Sequence, residues 1–341
     1  MSAFAQLSTA ERAAFVQEAA ARLDLSPVIV EKDFWVCWTL RQIFQSPTVG
    51  GHLVFEGGTS LSKVFAAIQR FSEDIDLSVA PPFLGWEESE LDEAPSTTLR
   101  RKRLEKLEAA CAARVKGEFL PDLEYFVQAV LGQTPGRECW LEYQIDPTSN
   151  SPVILFHYPS ALPAGGGYIQ PFVKMEFGSL TDQRPAGVHL VKPLLAEAIP
   201  AAFEDFTAQV VALEVERTFW EKATILHAEY HRPPGQAVCE RFARHCADTA
   251  ALWQRPARAK ALARIDLLER VVRRKARFFA SSWAHYETAK PGGLRLRPPG
   301  AREPELTRDY QRMEDMFMTK PPNFAEVLGV LGEAEREING A

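Results

Sequence analysis

Phe55-Glu56-Gly57-Gly58-Thr59-Ser60-Leu61-Ser62-Lys63, followed by Arg70-Phe71-Ser72-Glu73-Asp74-Ile75-Asp76-Leu77, is the stretch on which the reading of this chain turns. His52–Glu56 reads as a short strand, Gly57–Gly58 as a turn and Thr59–Ile68 as a helix. Further on, Ile75, Leu77 and Val79 alternate with Asp74, Asp76 and Ser78, the period of a strand. Strand, turn, helix and strand within about 30 residues predict an α/β or α+β unit.

The same residues suggest a chemistry. Two adjacent glycines let the backbone approach a ligand closely. A helix that follows them offers free N–H groups and its positive end to an anion, and Thr59 and Ser60 add hydroxyls there. Asp74 and Asp76, two apart on the predicted strand, project to one side. Two carboxylates so placed repel unless a cation joins them, and hard oxygen donors suit Mg2+ or Mn2+. A metal-bound nucleoside triphosphate held by this turn is the substrate the pattern anticipates, with two ions activating a hydroxyl and neutralising the leaving pyrophosphate. Singly, each piece has a plain reading, the glycines as an ordinary turn and the aspartates as a solvated strand edge. Together, at this spacing, they favour the functional one.

Outward from this core, residues 9–23 have the rhythm of an amphipathic helix capped by Ser8 or Thr9. Residues 26–44 continue helically, with Val28, Phe34, Trp35, Trp38 and Leu40 as candidates for burial. Residues 81–95 read as an acidic loop, and a helix is expected from Thr98 to Val115. Between Glu138 and Phe177, CWLEYQI, VILFHYP and YIQPFVKMEFG predict three more strands of a mostly antiparallel or mixed sheet. Beyond about residue 205 the pattern is helical, which places a domain boundary there.

Composition narrows the class. Of the 341 residues 46% are apolar, enough for a sizeable core and too many for a disordered chain. No uninterrupted apolar run reaches about 18 residues, so no membrane span is expected. The opening residues lack a basic head followed by an apolar run, so no signal peptide is expected and the cytoplasm is the expected compartment. Five cysteines without a C-x-x-C pair predict reduced, mostly buried thiols rather than a disulfide framework or a zinc site. His227 and His231 lack a third ligand at a recognisable spacing. Trp35, Trp38, Trp220 and Trp253 are expected in the core rather than as base-stacking platforms.

The net charge of −6 argues against a general cationic coat, but the charge is uneven. Residues 96–116 hold seven Lys or Arg against two Glu, and residues 253–300 hold twelve against three acids. Around Leu267, Leu268, Val271 and Val272 the bases fall at helical spacing and include Arg273, Arg274 and Lys275. A solvated helix face accounts for this; so does a phosphate-backbone track for RNA, which we favour, or a docking face for an acidic partner.

GGTSLSK with RFSEDIDL resembles the nucleotidyltransferase core of the DNA polymerase β-like superfamily, and within it the AbiEii/AbiGii toxin family, which includes the MenT toxins. The resemblance extends to Glu31-Lys32-Asp33-Phe34-Trp35, to Val173-Lys174-Met175-Glu176-Phe177, to ERTFWEK at 216–222, to Arg241–Asp248 and to the tail. It implies an N-terminal helix in residues 1–26, a mixed-sheet nucleotidyltransferase core in 27–205 and a helical C-terminal domain in 206–341. It implies metal binding by Asp74 and Asp76, and Glu176 as third carboxylate, serving the metal or acting as general base. Gly57, Gly58, Thr59 and Ser60 would hold the triphosphate, with Lys63 and Arg70 adding charge. Lys222 would meet the nucleotide phosphates, and Asp248 would orient Lys222 or the arginines Arg241 and Arg244. In the MenT branch the acceptor is the 3′ end of tRNA, so the resemblance implies a translation-blocking toxin with a separately encoded antitoxin that need not touch it. A nucleotidyltransferase acting on protein or a small molecule, a nucleotide-binding regulator without turnover, and a metal nuclease are the rival readings.

Overall fold

The computed structural model describes residues 1–87, 96–163, 169–200 and 205–340. The acidic loop expected over 81–95 lies outside the described residues from 88 onward; before that, Pro81–Leu84 form a short 3-10 turn. The chain divides into two compact units. One comprises Met1–Val64 and Glu73–Ala212, the other Phe65–Ser72 and Leu213–Ala341.

The first unit is built on a seven-stranded mixed sheet. Its strands are β1 (Leu53–Glu56), β2 (Ile75–Val79), β3 (Leu141–Ile145), β4 (Pro152–Phe156), β5 (Val173–Gly178), β6 (Ala186–Val191) and β7 (Ala208–Leu213), in the order β3-β4-β5-β2-β1-β7-β6. β1 runs antiparallel to β2 and parallel to β7, β2 is parallel to β5, and β3, β4 and β5 form an antiparallel meander. β2 follows its alternation: Ile75, Leu77 and Val79 are buried, whereas Asp74 and Asp76 stay partly open. The chain beyond 205 is therefore not helical from the outset. β7 is a short apolar run, AQVVAL, whose periodicity alone does not separate a buried strand from a helix.

Three α-helices precede β1. α1 (Ser2–Ala5) is a single turn, and α2 (Thr9–Leu23) starts at Ser8, which forms a reciprocal capping box with Glu11. α3 (Pro27–Gln45) opens on a proline at its first turn and is buried on nearly every side from Ile29 to Leu40. Phe34, Trp35, Trp38 and Leu40 are in the core as expected, but Val28 remains exposed. Trp35 stacks on Tyr158 at 5.5 Å between ring centroids and Trp38 on Phe156 at 5.4 Å, so α3 is fixed against the sheet by aromatic contacts.

α4 (Gly57–Lys63) departs from expectation: the glycines open the helix instead of forming a turn before it, and the helix ends seven residues later. Gly57 has φ +78°, which lets the chain swing directly from β1 into the helix. The basic helix covers Thr97–Arg114 and continues through a π-helical turn, Val115–Phe119, into the helix Leu120–Leu131.

In the second unit the helix Val215–Tyr230 packs with the helices Ala243–Trp253, Ala257–Leu262 and Ile265–Phe278, and the helices Glu303–Gln311 and Phe324–Gly340 follow. Phe219 stacks on Trp253, and Trp220 donates its indole N–H to the Arg264 carbonyl. Both tryptophans are buried, as the sequence suggests. The segment Phe65–Ser72 belongs here through Phe71 N–H to Met316 O and Met318 N–H to Gln69 O. Cys37, Cys111 and Cys246 are buried free thiols; Cys139 and Cys239 are exposed free thiols. No described helix is long and apolar enough to cross a membrane.

Candidate active site

Three adjacent strands set the acids in a row. Glu56 of β1 is the register partner of Asp76 of β2, and Asp76 is the partner of Glu176 of β5. Cross-strand partners project to the same face, so Glu56, Asp76 and Glu176 stand side by side, and Asp74 lies on that face two residues earlier. Glu56 was not anticipated, because its place in the row depends on a register that no local pattern encodes.

Lys174 ties this row to the β3–β4 turn. Its ammonium donates to Glu176 Oε2 at 3.0 Å and to Asp146 Oδ2 at 2.9 Å, while Ser149 Oγ donates to Glu176 Oε1 at 2.8 Å. Partial burial pulls the Lys174 pKa down, but the hydrogen bonds to Asp146 and Glu176 and the fields of Glu176 and Asp74 prevail and raise it. Asp146 is held down to about 2 by the Lys174 hydrogen bond and by the N–H groups of Ser149 and Thr148. At the other end of the row Thr181 Oγ1 donates to Glu56 Oε1. Asp146, Ser149 and Thr181 carry no sequence signal beyond their place in turns and strand ends.

The glycine helix butts against the row. A Cβ added to Gly57 would fall 1.8 Å from Asp76 Oδ2, so the Asp76 carboxylate occupies the space a side chain would need. Thr59 and Ser60 are fully buried and their hydroxyls point inward, to Asp74 O at 2.5 Å and Gly57 O at 2.9 Å. They do not present the hydroxyl donors to an anion that the sequence suggested; they lock α4 to the start of β2. Lys63 is likewise corrected. Its ammonium pairs with Asp33 at 2.7 Å in the interior, and although burial opposes its charge, Asp33 raises its pKa. An ammonium committed there does not add charge to a triphosphate.

Among the described residues no three His, Cys, Asp or Glu side chains close into a ready-made metal cage. Mg2+ does not require one: it keeps several waters and binds through one or two carboxylates plus substrate phosphates. Asp74 and Asp76, hard oxygen donors on a face that also carries Glu56 and Glu176, fit that demand.

A second cluster lies within the second unit. Asp248 accepts a two-pronged contact from Arg70, Nε to Oδ1 and a terminal nitrogen to Oδ2, both at 2.8 Å, and a third bond from Lys222 Nζ at 2.8 Å. All three residues are buried. Burial pushes the Asp248 carboxyl up, but two cations and their hydrogen bonds outweigh it and hold it far below the ordinary range. Lys222 shifts down: burial comes first, and the field and hydrogen bond of Asp248, opposed by Arg70 and Arg244, do not make up for it. Asp248 thus holds the Arg70 guanidinium and the Lys222 ammonium together in the interior.

The basic track needs one revision. Arg273 is exposed and Arg274 lies over the Phe278 ring, but Lys275 is buried and bonds Glu221, at 3.1 Å to its carboxylate and 2.8 Å to its carbonyl. Glu221 also takes the buried Arg217 guanidinium. His227 is a structural hydrogen bonder, with Nε2 3.1 Å from the His285 carbonyl and Nδ1 accepting the Arg295 N–H.

The sheet thus carries paired aspartates beside a glycine-opened helix. Residues 38–330 match the family described as nucleotidyl transferase AbiEii toxin of type IV toxin–antitoxin systems. The chain belongs to that family and is a nucleotidyltransferase. Among solved structures, the nucleotidyltransferase toxin MenT4 of Mycobacterium tuberculosis H37Rv aligns over 98% of this chain and 97% of its own, at 16% identity and a TM-score of 0.37. A search of curated proteins gives no match.

Proposed function

We propose that this chain is a metal-dependent toxin that transfers a nucleoside monophosphate from a nucleoside triphosphate to an RNA acceptor, the 3′ end of tRNA, and so blocks translation. The observation that carries this reading is the row Glu56, Asp76 and Glu176, with Asp74 beside it, set against the glycine that opens α4. A divalent cation held by Asp74 and Asp76, Mg2+ or Mn2+, would neutralise the phosphate oxygens when bound. The acceptor hydroxyl attacks the α-phosphate in line and pyrophosphate leaves. Glu176, held by Ser149 and Lys174, is assigned as the third carboxylate, serving the metal or taking the acceptor hydroxyl's proton as the new P–O bond forms. Gly57 and Gly58, which open α4, are assigned to the triphosphate, where backbone without a Cβ lets phosphate oxygens approach closely. Lys222 is assigned to the nucleotide phosphates, oriented by Asp248. Arg273 and Arg274 contribute to RNA binding. The antitoxin is a separate protein.

The test is incubation of the purified protein and Asp76→Ala with Mg2+, total tRNA and each labelled nucleoside triphosphate in turn. Label on tRNA with one or two nucleotides, from the intact protein alone, is the expected result. Label on the protein itself, or none on any RNA, would overturn the RNA acceptor.

A further inference from the structure

α3 carries three consecutive charged residues, Glu31, Lys32 and Asp33, each at most 4% exposed. Isolated buried charges are strongly unfavourable, and each of these has found partners. Consecutive helical residues point about 100° apart, so the three reach in different directions. Glu31 accepts from Ser160 Oγ and the Ala161 N–H. Lys32 donates to Glu73 Oε2 at 2.5 Å and to the Gln170 carbonyl at 3.0 Å, with its ammonium 5.5 Å from the Phe172 ring centre. Asp33 accepts from Lys63 at 2.7 Å and from the Leu194 N–H at 2.6 Å.

Three of these partners share one property. Glu73 is the residue before Asp74. Gln170 lies three residues ahead of β5, which carries Lys174 and Glu176. Lys63 closes the helix that Gly57 opens. One turn of α3 therefore grips three segments from which the carboxylate row and its glycine are built. For folding alone, apolar residues of similar volume would serve as well as a buried ion pair; what the charges add is a fixed direction at each grip.

We propose that Lys32 is a positioning residue for nucleotidyl transfer. By holding Glu73 and the Gln170 carbonyl with one ammonium, it sets Asp74 in register with the strand that carries Glu176, and Asp33 does the same for α4 through Lys63. This rests on the reading of Asp74 and Asp76 as the metal carboxylates.

The test compares wild type with Lys32→Met, Lys32→Arg, Glu73→Gln, the double variant Lys32→Met/Glu73→Gln, and Asp76→Ala. Mn2+ binding is measured by calorimetry, and kcat and nucleotide KM by label transfer to total tRNA. Lys32→Met and Glu73→Gln should each weaken Mn2+ binding and lower kcat by about tenfold or more, the size of effect typical when support behind a metal ligand is removed. Nucleotide KM should move by less than about twofold, Lys32→Arg should recover most of the loss, and the double variant should be no worse than Lys32→Met, as two residues acting through one bond require. If Lys32→Met does not fold, Glu73→Gln, on the more open side of the pair, carries the same measurement. Mn2+ binding unchanged in Lys32→Met and Glu73→Gln but lost in Asp76→Ala would overturn the positioning role alone. Mn2+ binding unchanged in Asp76→Ala would overturn the site itself.

Discussion

A side chain on Gly57 and the carboxylate of Asp76 cannot coexist: the added Cβ would lie 1.8 Å from Oδ2 and 2.7 Å from Cγ. The two residues are 19 apart in sequence, yet the β1–β2 pairing brings them into one space. Gly57 also holds φ +78°, where residues with a Cβ are strained. The glycine is therefore needed twice, once for the turn into the helix and once to leave room for an acid.

Gly57→Ala should cost about 1–2 kcal/mol from the backbone alone and should push Asp76 out of the row. Urea denaturation would show the first effect and Mn2+ calorimetry the second. Wild-type Mn2+ affinity in this variant would separate the glycine from the metal site.

Asp76→Ala should abolish label transfer while leaving the melting temperature unchanged or higher. It removes one of several like charges on a single face, and their repulsion opposes folding when no cation is bound. Transfer at the wild-type rate would mean that the site is misplaced.

Asp248→Ala and Lys222→Met should behave differently. The first strands two buried cations, a loss on the order of 3–5 kcal/mol. The second leaves Asp248 with its two-pronged Arg70 contact, so the fold should survive while transfer is lost. Equal destabilisation by both, measured in urea, would contradict this division of labour.

Acid should weaken the second unit. His227 is lowered from 6.5 to about 4, chiefly by burial, and His231 and His245 are lowered for the same first reason. Between those values the unfolded chain binds a proton at position 227 that the folded one refuses, so stability is complete above pH 6.5 and declines as pH falls toward 4. Down to pH 5, His227 alone accounts for about 2 kcal/mol of this. Unfolding midpoints at pH 7.5 and 5 should differ in the wild type and differ less in His227→Gln; a flat wild-type profile would refute the assignment.

Charge reversal should divide the basic helix Ile265–Phe278. Arg273→Glu should leave stability intact and reduce the salt dependence of tRNA binding by roughly one ion. Lys275→Glu should destabilise the protein by several kcal/mol, about the cost of leaving Glu221 against a like charge. An unchanged salt slope in Arg273→Glu would make the exposed face a plain surface.

Local periodicity made part of this site readable. Ile75, Leu77 and Val79 announce a strand, and with it a shared face for Asp74 and Asp76. The place of Glu176 came only from the family resemblance, because the parallel pairing of β2 with β5 joins positions 100 residues apart. Glu56 and Lys174 enter the row by the same non-local register. The fate of Lys275 was open to a closer reading: Leu268, Val271, Lys275 and Phe278 fall at helical spacing on one stripe, and that stripe is buried. The inward hydroxyls of Thr59 and Ser60 left no such trace, since their composition suits a phosphate turn and a buried helix start equally well.

The loop Phe65–Ser72 groups with the second unit although the residues on either side of it belong to the first. It supplies Arg70, without which Asp248 would face Lys222 alone. The two units are therefore interleaved along the backbone, and no single cut separates them: a break after Ala212 would leave the C-terminal piece without a guanidinium that its buried carboxylate requires. A chain cut at that point keeps the Asp248 carboxylate and the Lys222 ammonium in one piece and the Arg70 guanidinium in the other.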